Sequence, residues 1–203
     1  MRKVLFFFMI ILVLYSSTSF ASSRFEEQWQ EALRINEDLR SESGEENIVL
    51  DYQLAVIYAN FGKIEDSMDV LQSIDKSEGR EKLRDIIPEY EERFSINPLD
   101  IVNSNYLAFA YYIVKDYEKA REVFTELSYI DDQNIWTYNY LAVVEHQLED
   151  YDKAHKTLER SLEIEDNEYT HFLLGVNYYK NGSYFRAMNH IRRGRRGVRL
   201  FLD

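Results

Sequence analysis

The stretch Asn105–Ala120 reads NYLAFAYYIVKDYEKA, and 34 residues later Asn139–Ala154 reads NYLAVVEHQLEDYDKA. Eight of the sixteen positions are identical, in the frame N-Y-L-A followed by D-Y-x-K-A. Working outward, a Leu-Ala or Leu-Gly pair recurs at Leu54-Ala55, Leu107-Ala108, Leu141-Ala142 and Leu174-Gly175, the last three 34 and 33 residues apart. Each pair is followed by a small residue (Ser67, Ala120, Ala154, Ala187) and, one turn later, by a large apolar one (Leu71, Phe124, Leu158, Ile191). Between the landmarks sits a turn: NFGKIED, VKDYEKA, LEDYDKA or KNGSYFRA. The pairs Leu54/Tyr58, Leu107/Tyr111 and Leu174/Tyr178 are spaced i,i+4, which places them on one helical face. The pattern predicts a helix–turn–helix unit in which neither helix buries its apolar stripe alone, so that stacked neighbours complete the core.

These residues resemble the tetratricopeptide repeat family. The Leu-Ala/Gly pairs carry the resemblance, with Tyr58, Tyr111 and Tyr178, Gly62 and Gly182 in the inter-helix turn, and the Asp-Tyr-x-Lys-Ala runs at 116–120 and 150–154. The resemblance covers roughly 48–194 and implies an all-α solenoid of about four hairpins. Glu145 stands where the family pattern has Tyr, and the family's early-helix Trp is absent. The expected division is a signal peptide at 1–21, an N-terminal helix and loop at 24–47, and repeats at 48–81, 101–134, 135–167 and 168–194. An inserted helical segment is expected at 82–100 and a basic tail at 195–203. Leu54 to Leu107 is one repeat plus 19 residues, so a single extra helix would reverse the chain and offset the first repeat from the block 101–194. Pro88 in that segment reads as a kink or a new first turn, and Asn97-Pro98 as a stop.

The chain's ends and charge bound its setting. Arg2 and Lys3, the twelve apolar residues Val4–Tyr15, and Ser19 and Ala21 at the −3 and −1 places compose a cleavable secretory signal. Twelve residues fall short of the ~20 that span a bilayer. No Cys is present, which excludes lipidation at a leader cysteine and leaves an exported fold to its core alone; a periplasmic or cell-surface setting in a bacterial envelope is expected. A net charge of −12 argues against a nucleic-acid binder.

Catalytic patterns are missing. The four histidines show no H-E-x-x-H spacing, and no nucleophile elbow or phosphate-binding glycine loop appears. The expectation is a non-enzyme without cofactor or metal. The resemblance implies instead a concave groove lined by first helices, where the matching places are Tyr52, Asn105, Phe109, Tyr112, Trp136, Asn139, His146, Tyr169, Phe172 and Tyr179, with Val56, Val102, Val143 and Val176. An Asn amide both donates and accepts, so Asn105 and Asn139 could pair with a peptide backbone, and the aromatics supply contact area at low entropic cost. The carboxylate-gripping subtype is not expected, because its places hold Asn105, Phe109, Tyr140, Tyr169 and Leu173, with no base among them. At the C-terminus Arg192, Arg193, Arg195, Arg196 and Arg199 form a basic end on an acidic chain.

The function expected is an exported scaffold or adaptor that holds another protein's segment in the groove, in assembly of an envelope complex. Two other readings stay open: a membrane-surface protein using its leader or the C-terminal arginines on anionic lipid, and an accessory subunit of an enzyme. The sequence sets no oligomeric state.

Overall fold

A computed structural model describes residues 25–43, 47–74 and 76–202; the expected signal peptide lies outside the described residues. The helices are α1 (25–43), α2 (Ile48–Asn60), α3 (Ile64–Ser73), α4 (Lys76–Ile96), α5 (Ile101–Ile113), α6 (Tyr117–Ile130), α7 (Ile135–Gln147), α8 (Tyr151–Ile164), α9 (Glu168–Lys180), α10 (Tyr184–Arg193) and α11 (Arg195–Leu202). No strand occurs among the described residues.

Capping residues set where the first helices begin. Asn47, Asp100, Asn134 and Asn167 each accept a hydrogen bond from a backbone N–H of the first turn of α2, α5, α7 and α9, satisfying donors that otherwise have no intrahelical partner. These helices are apolar on nearly every side, because they are sandwiched: α5 buries nine of its thirteen residues, whereas the amphipathic α8 buries only Ala154, Leu158 and Ser161 of its fourteen. Ala108, Ala110, Ala120 and Ala154 are fully buried, which lets backbones cross closely, and Leu107, Phe124, Leu127, Leu158 and Leu174 fill the seams. Burying each such large side chain contributes about 1.5–3 kcal/mol, so the seams outweigh any single surface ion pair.

Helices α5–α10 form three consecutive hairpins, each first helix also packing on the second helix of the hairpin before it. The first hairpin, α2–α3, stands apart. It is α4, not α3, that packs along α5, with Asn103 Nδ2 donating to the Tyr90 carbonyl at 3.2 Å and the Tyr111 hydroxyl donating to Glu91. The extra segment is thus longer than the expected 82–100: α4 starts at Lys76 and runs unbroken through Pro88, which neither ends nor restarts it. Its stop at Ile96, before Asn97-Pro98, is as the sequence reads. Helix α1 packs on this end through Trp29 and through Asn36 Nδ2, which donates to the Leu50 carbonyl at 2.9 Å.

The expected tail is a helix. Gly194 interrupts the helical run for one residue, and α11 then packs on α9 with Gly197 inside it. A Cβ at Gly194 or Gly197 would come within 2.4 Å of Phe172, so both glycines serve close approach and only Gly194 ends a helix.

Candidate functional site

The expected groove face is real as a surface of α5, α7 and α9, but it is not empty. Phe109, Trp136, Tyr140 and Tyr169 form a continuous aromatic line: Phe109 meets Tyr140 at 4.7 Å between ring centres, Trp136 stacks on Tyr140 at 6.5 Å, and Trp136 meets Tyr169 at 5.7 Å. The tip of the first hairpin lies on this line. Tyr140 donates to the Ala59 carbonyl at 2.6 Å, Gly62 sits against the Trp136 indole, and Tyr169 donates to Glu65 Oε1 at 2.6 Å. At the other end of α2, Tyr52 donates to the Tyr106 carbonyl on α5. Helix α2 and its turn therefore cross the inner face from α5 over α7 to α9.

Gly62 is what permits the closest of these contacts. Its φ is +69°, a left-handed conformation, and a Cβ there would lie 2.6 Å from the Trp136 ring; a side chain would be both strained and obstructed. The electrostatics follow from the packing. Burial pushes the Tyr140 and Tyr169 hydroxyls above their usual range, and for Tyr169 the Glu65 carboxylate adds to the effect. The same hydrogen bond holds Glu65 below the usual carboxylate range, with Arg196 and Arg199 assisting from α11.

The residues expected to touch a partner divide accordingly. Asn105 and Asn139 do not: each is 2 % exposed, which corrects the expectation. Asn105 Nδ2 donates to the Ile101 carbonyl of its own helix at 2.8 Å. Asn139 Oδ1 accepts from Ser161 Oγ at 3.1 Å and from Thr170 Oγ1 at 3.0 Å, tying α7 to α8 and α9. Tyr52 is buried as well, and Tyr169 nearly so. Phe172 lies half-buried under α11, and Phe109 and Trp136 are half-buried in the aromatic line. Tyr112 packs beside Tyr117 at 5.6 Å, and His146 is held by Asn177 Oδ1 at 3.2 Å and the Tyr151 ring. Of the whole set Tyr179 alone is largely open, at 61 %. Sequence reasoning named Tyr140 only among the places of the carboxylate-gripping subtype and missed Ala59, Gly62 and Glu65 as what lies on the face; the only signal was the irregular spacing between Leu54 and Leu107.

Other polar clusters act within the stack. His171, buried, places Nε2 2.8 Å from Asp166 Oδ1 and Nδ1 2.9 Å from His190 Nδ1. With the Nε2–H donated to Asp166, the Nδ1 of neutral His171 accepts and His190 donates. Arg193 adds two bonds to the same carboxylate, at 3.0 and 2.8 Å, so the basic patch is not uniformly free: Arg193 is paired, while Arg192, Arg195, Arg196 and Arg199 have exposed side chains. Glu145 is 5 % exposed and accepts from Thr157 Oγ1 at 2.8 Å; burial raises its carboxyl above the usual range. Among the described residues no group of three or more His, Asp or Glu is placed to hold a metal ion, and no helix is long and apolar enough to cross a membrane.

Comparison with known proteins matches this geometry at the level of the repeat. The tetratricopeptide repeat family matches residues 100–167, the two hairpins α5–α6 and α7–α8. No curated protein matches the sequence. Among solved structures, a crystal structure of MamA superposes with a TM-score of 0.52 at 14% identity, covering 87% of this chain and 92% of that one. A second MamA crystal structure gives 0.53 at 14% identity, over 84% and 83%. MamA 41-end from Desulfovibrio magneticus RS-1 gives 0.50 at 16% identity, over 92% and 94%. At such identities the likeness is one of fold, and it extends the helical stack on both sides of the matched hairpins. Residues 100–167 thus match the tetratricopeptide repeat family, and the described helices as a whole stack as hairpins into an α-solenoid.

Proposed function

We propose that this protein is a non-catalytic scaffold whose inner face holds an extended or turning segment of another polypeptide. One observation carries the reading: that face already holds such a segment, the chain's own α2–α3 tip. The array grips it by a tyrosine to a backbone carbonyl, a tyrosine to a carboxylate and an indole over a glycine. None of these contacts demands a particular side-chain sequence apart from the glycine and the carboxylate, so a partner segment offering a close backbone and an acidic residue would suit the same line. The partner binds by taking the place of the tip. The family matched by α5–α8 supports a protein-interaction role.

The basic leader pattern and the lack of Cys support export to a bacterial envelope, with assembly of an envelope complex as the setting. Photo-crosslinking residues placed at Tyr112 and Tyr140 test the binding surface in the native host. The expected result is a crosslinked species of discrete mass, competed away by a peptide spanning residues 56–68. Crosslinks that run only to the chain's own first hairpin would sink the proposal.

A further inference from the structure

A second surface lies at the far end of the stack, on the outer side of the last hairpin. The three tight hairpins share one register at their second helices, fixed by the buried alanines Ala120, Ala154 and Ala187. Two residues before the alanine stand Glu118, Asp152 and Phe185; one residue after it stand Arg121, His155 and Met188. In the two interior hairpins these places are polar or charged: Glu118 and Asp152 are exposed, while Arg121 is half-buried and so is His155, which packs on Tyr178. In the last they are Phe185, 88 % exposed, and Met188, 67 % exposed. Tyr184 at 63 % and Tyr179 at 61 % complete the patch, their rings edge to face at 5.6 Å.

Two features make the exchange more than the ordinary end of an array. A terminal repeat normally turns a polar outer face to water. Here α11 does cover the end, but it packs chiefly on α9 and leaves the α10 face bare. The patch also lies on the basic end of an acidic chain. Residues 179–203 hold Lys180 and six arginines against Asp203, while residues 1–178 hold 17 bases and 35 acids. Among the described residues Arg192 and Arg195 have no ion pair, and Arg192 lies on the same side of α10 as Tyr184, Phe185 and Met188 by helical spacing.

We propose that this end of the molecule docks on an anionic lipid surface. Exposed aromatic and thioether side chains on a helix face, bordered by guanidinium groups, match the boundary between headgroup and acyl chain: the rings enter the apolar edge and the arginines bond lipid phosphates. The charge is arranged to suit one orientation, since the acidic body is repelled from the same surface that attracts the basic end. Apart from Tyr179 the patch shares no residue with the expected groove set, and the variants that test it lie outside that set, so its failure and that of the scaffold reading are distinguishable.

The test is flotation of the purified chain with vesicles of phosphatidylcholine alone and of phosphatidylcholine with phosphatidylglycerol. Binding is expected only to the anionic vesicles and should weaken with salt. Phe185→Glu with Met188→Arg installs the residue types that the interior hairpins already carry at these places, and should abolish binding with the thermal midpoint kept. Arg192→Gln and Arg195→Gln should each weaken binding about fivefold. As a second measurement that keeps an aromatic ring at this place, the Phe185→Trp variant should show a blue-shifted indole emission on anionic vesicles that the native chain does not. Absence of binding, binding indifferent to the Phe185/Met188 pair, or an unshifted emission from the Phe185→Trp variant would overturn the proposal. So would self-association in the absence of lipid that the same pair removes, which would assign the patch to a second copy of the chain.

Discussion

Asn139 looks like a recognition residue in the sequence and is a rivet in the fold. Its Oδ1 is the shared acceptor of Ser161 and Thr170, all three buried. Asn139→Ala leaves the two buried hydroxyls with each other and, for Ser161, the Ile135 carbonyl at 3.4 Å, and should lower stability by about 1–3 kcal/mol in urea unfolding. An unchanged midpoint would show that the three-helix bond carries nothing. His190 gives a pH signature at the same scale. Burial, then the neighbouring His171 and Arg193, lower its pKa from the ordinary 6.5. The unfolded chain therefore takes up a proton that the folded one refuses, so stability should fall as pH drops through 6.5 towards the lowered folded value. His190→Gln should make the urea midpoint less steep in pH across that window. Neither role was legible in the sequence. A polar residue at a groove place and one in a core seam have the same spacing, and only burial separates them.

The elements were far more legible than their decorations. The i,i+4 pairs, the turns and the small residues at crossings predicted the hairpins, because each reflects a local rule of helix geometry. The turns conceal a subtler regularity. Gly62, Lys115, Glu149 and Gly182 hold the same place and all have positive φ, from +61° to +73°. Two of the four are therefore side chains in a conformation that costs about 1–2 kcal/mol. Lys115→Gly and Glu149→Gly should each raise the thermal midpoint, while Gly62→Ala, with Trp136 in the way, should lower it more than Gly182→Ala, where a Cβ meets nothing within 4 Å. Equal losses at the two glycines would remove the Trp136 contact from the account. The C-terminal helix was misread as a tail because six arginines in a short run suggest solvation; what orders it is two glycines closing on Phe172, a fact of contact rather than composition.

At the scale of the molecule, the irregular spacing before Leu107 announced an interruption but not its use. One helix too many sends α2 across the inner face instead of along it. The Tyr169–Glu65 bond closes the far end of that crossing, and the hydrogen bond that lowers the Glu65 pKa is formed above that pKa and weakened as pH falls through it. Tyr169→Phe should therefore speed amide exchange in 56–66, as should acidification, and the two effects should not add. Additive effects would mean that acid acts elsewhere. The crossing also sets a length. Thirteen residues of helix span about 20 Å, and the contacts along it and just beyond it, Tyr52 to α5, Ala59 to α7 and Glu65 to α9, fall on three successive hairpins. Helix α2 is thus a gauge cut for three hairpins. Repeat proteins lengthen readily by duplication, but a further unit of about 34 residues inserted here would carry α9 out of reach of Glu65. The copy number is held by a ruler built into the same chain.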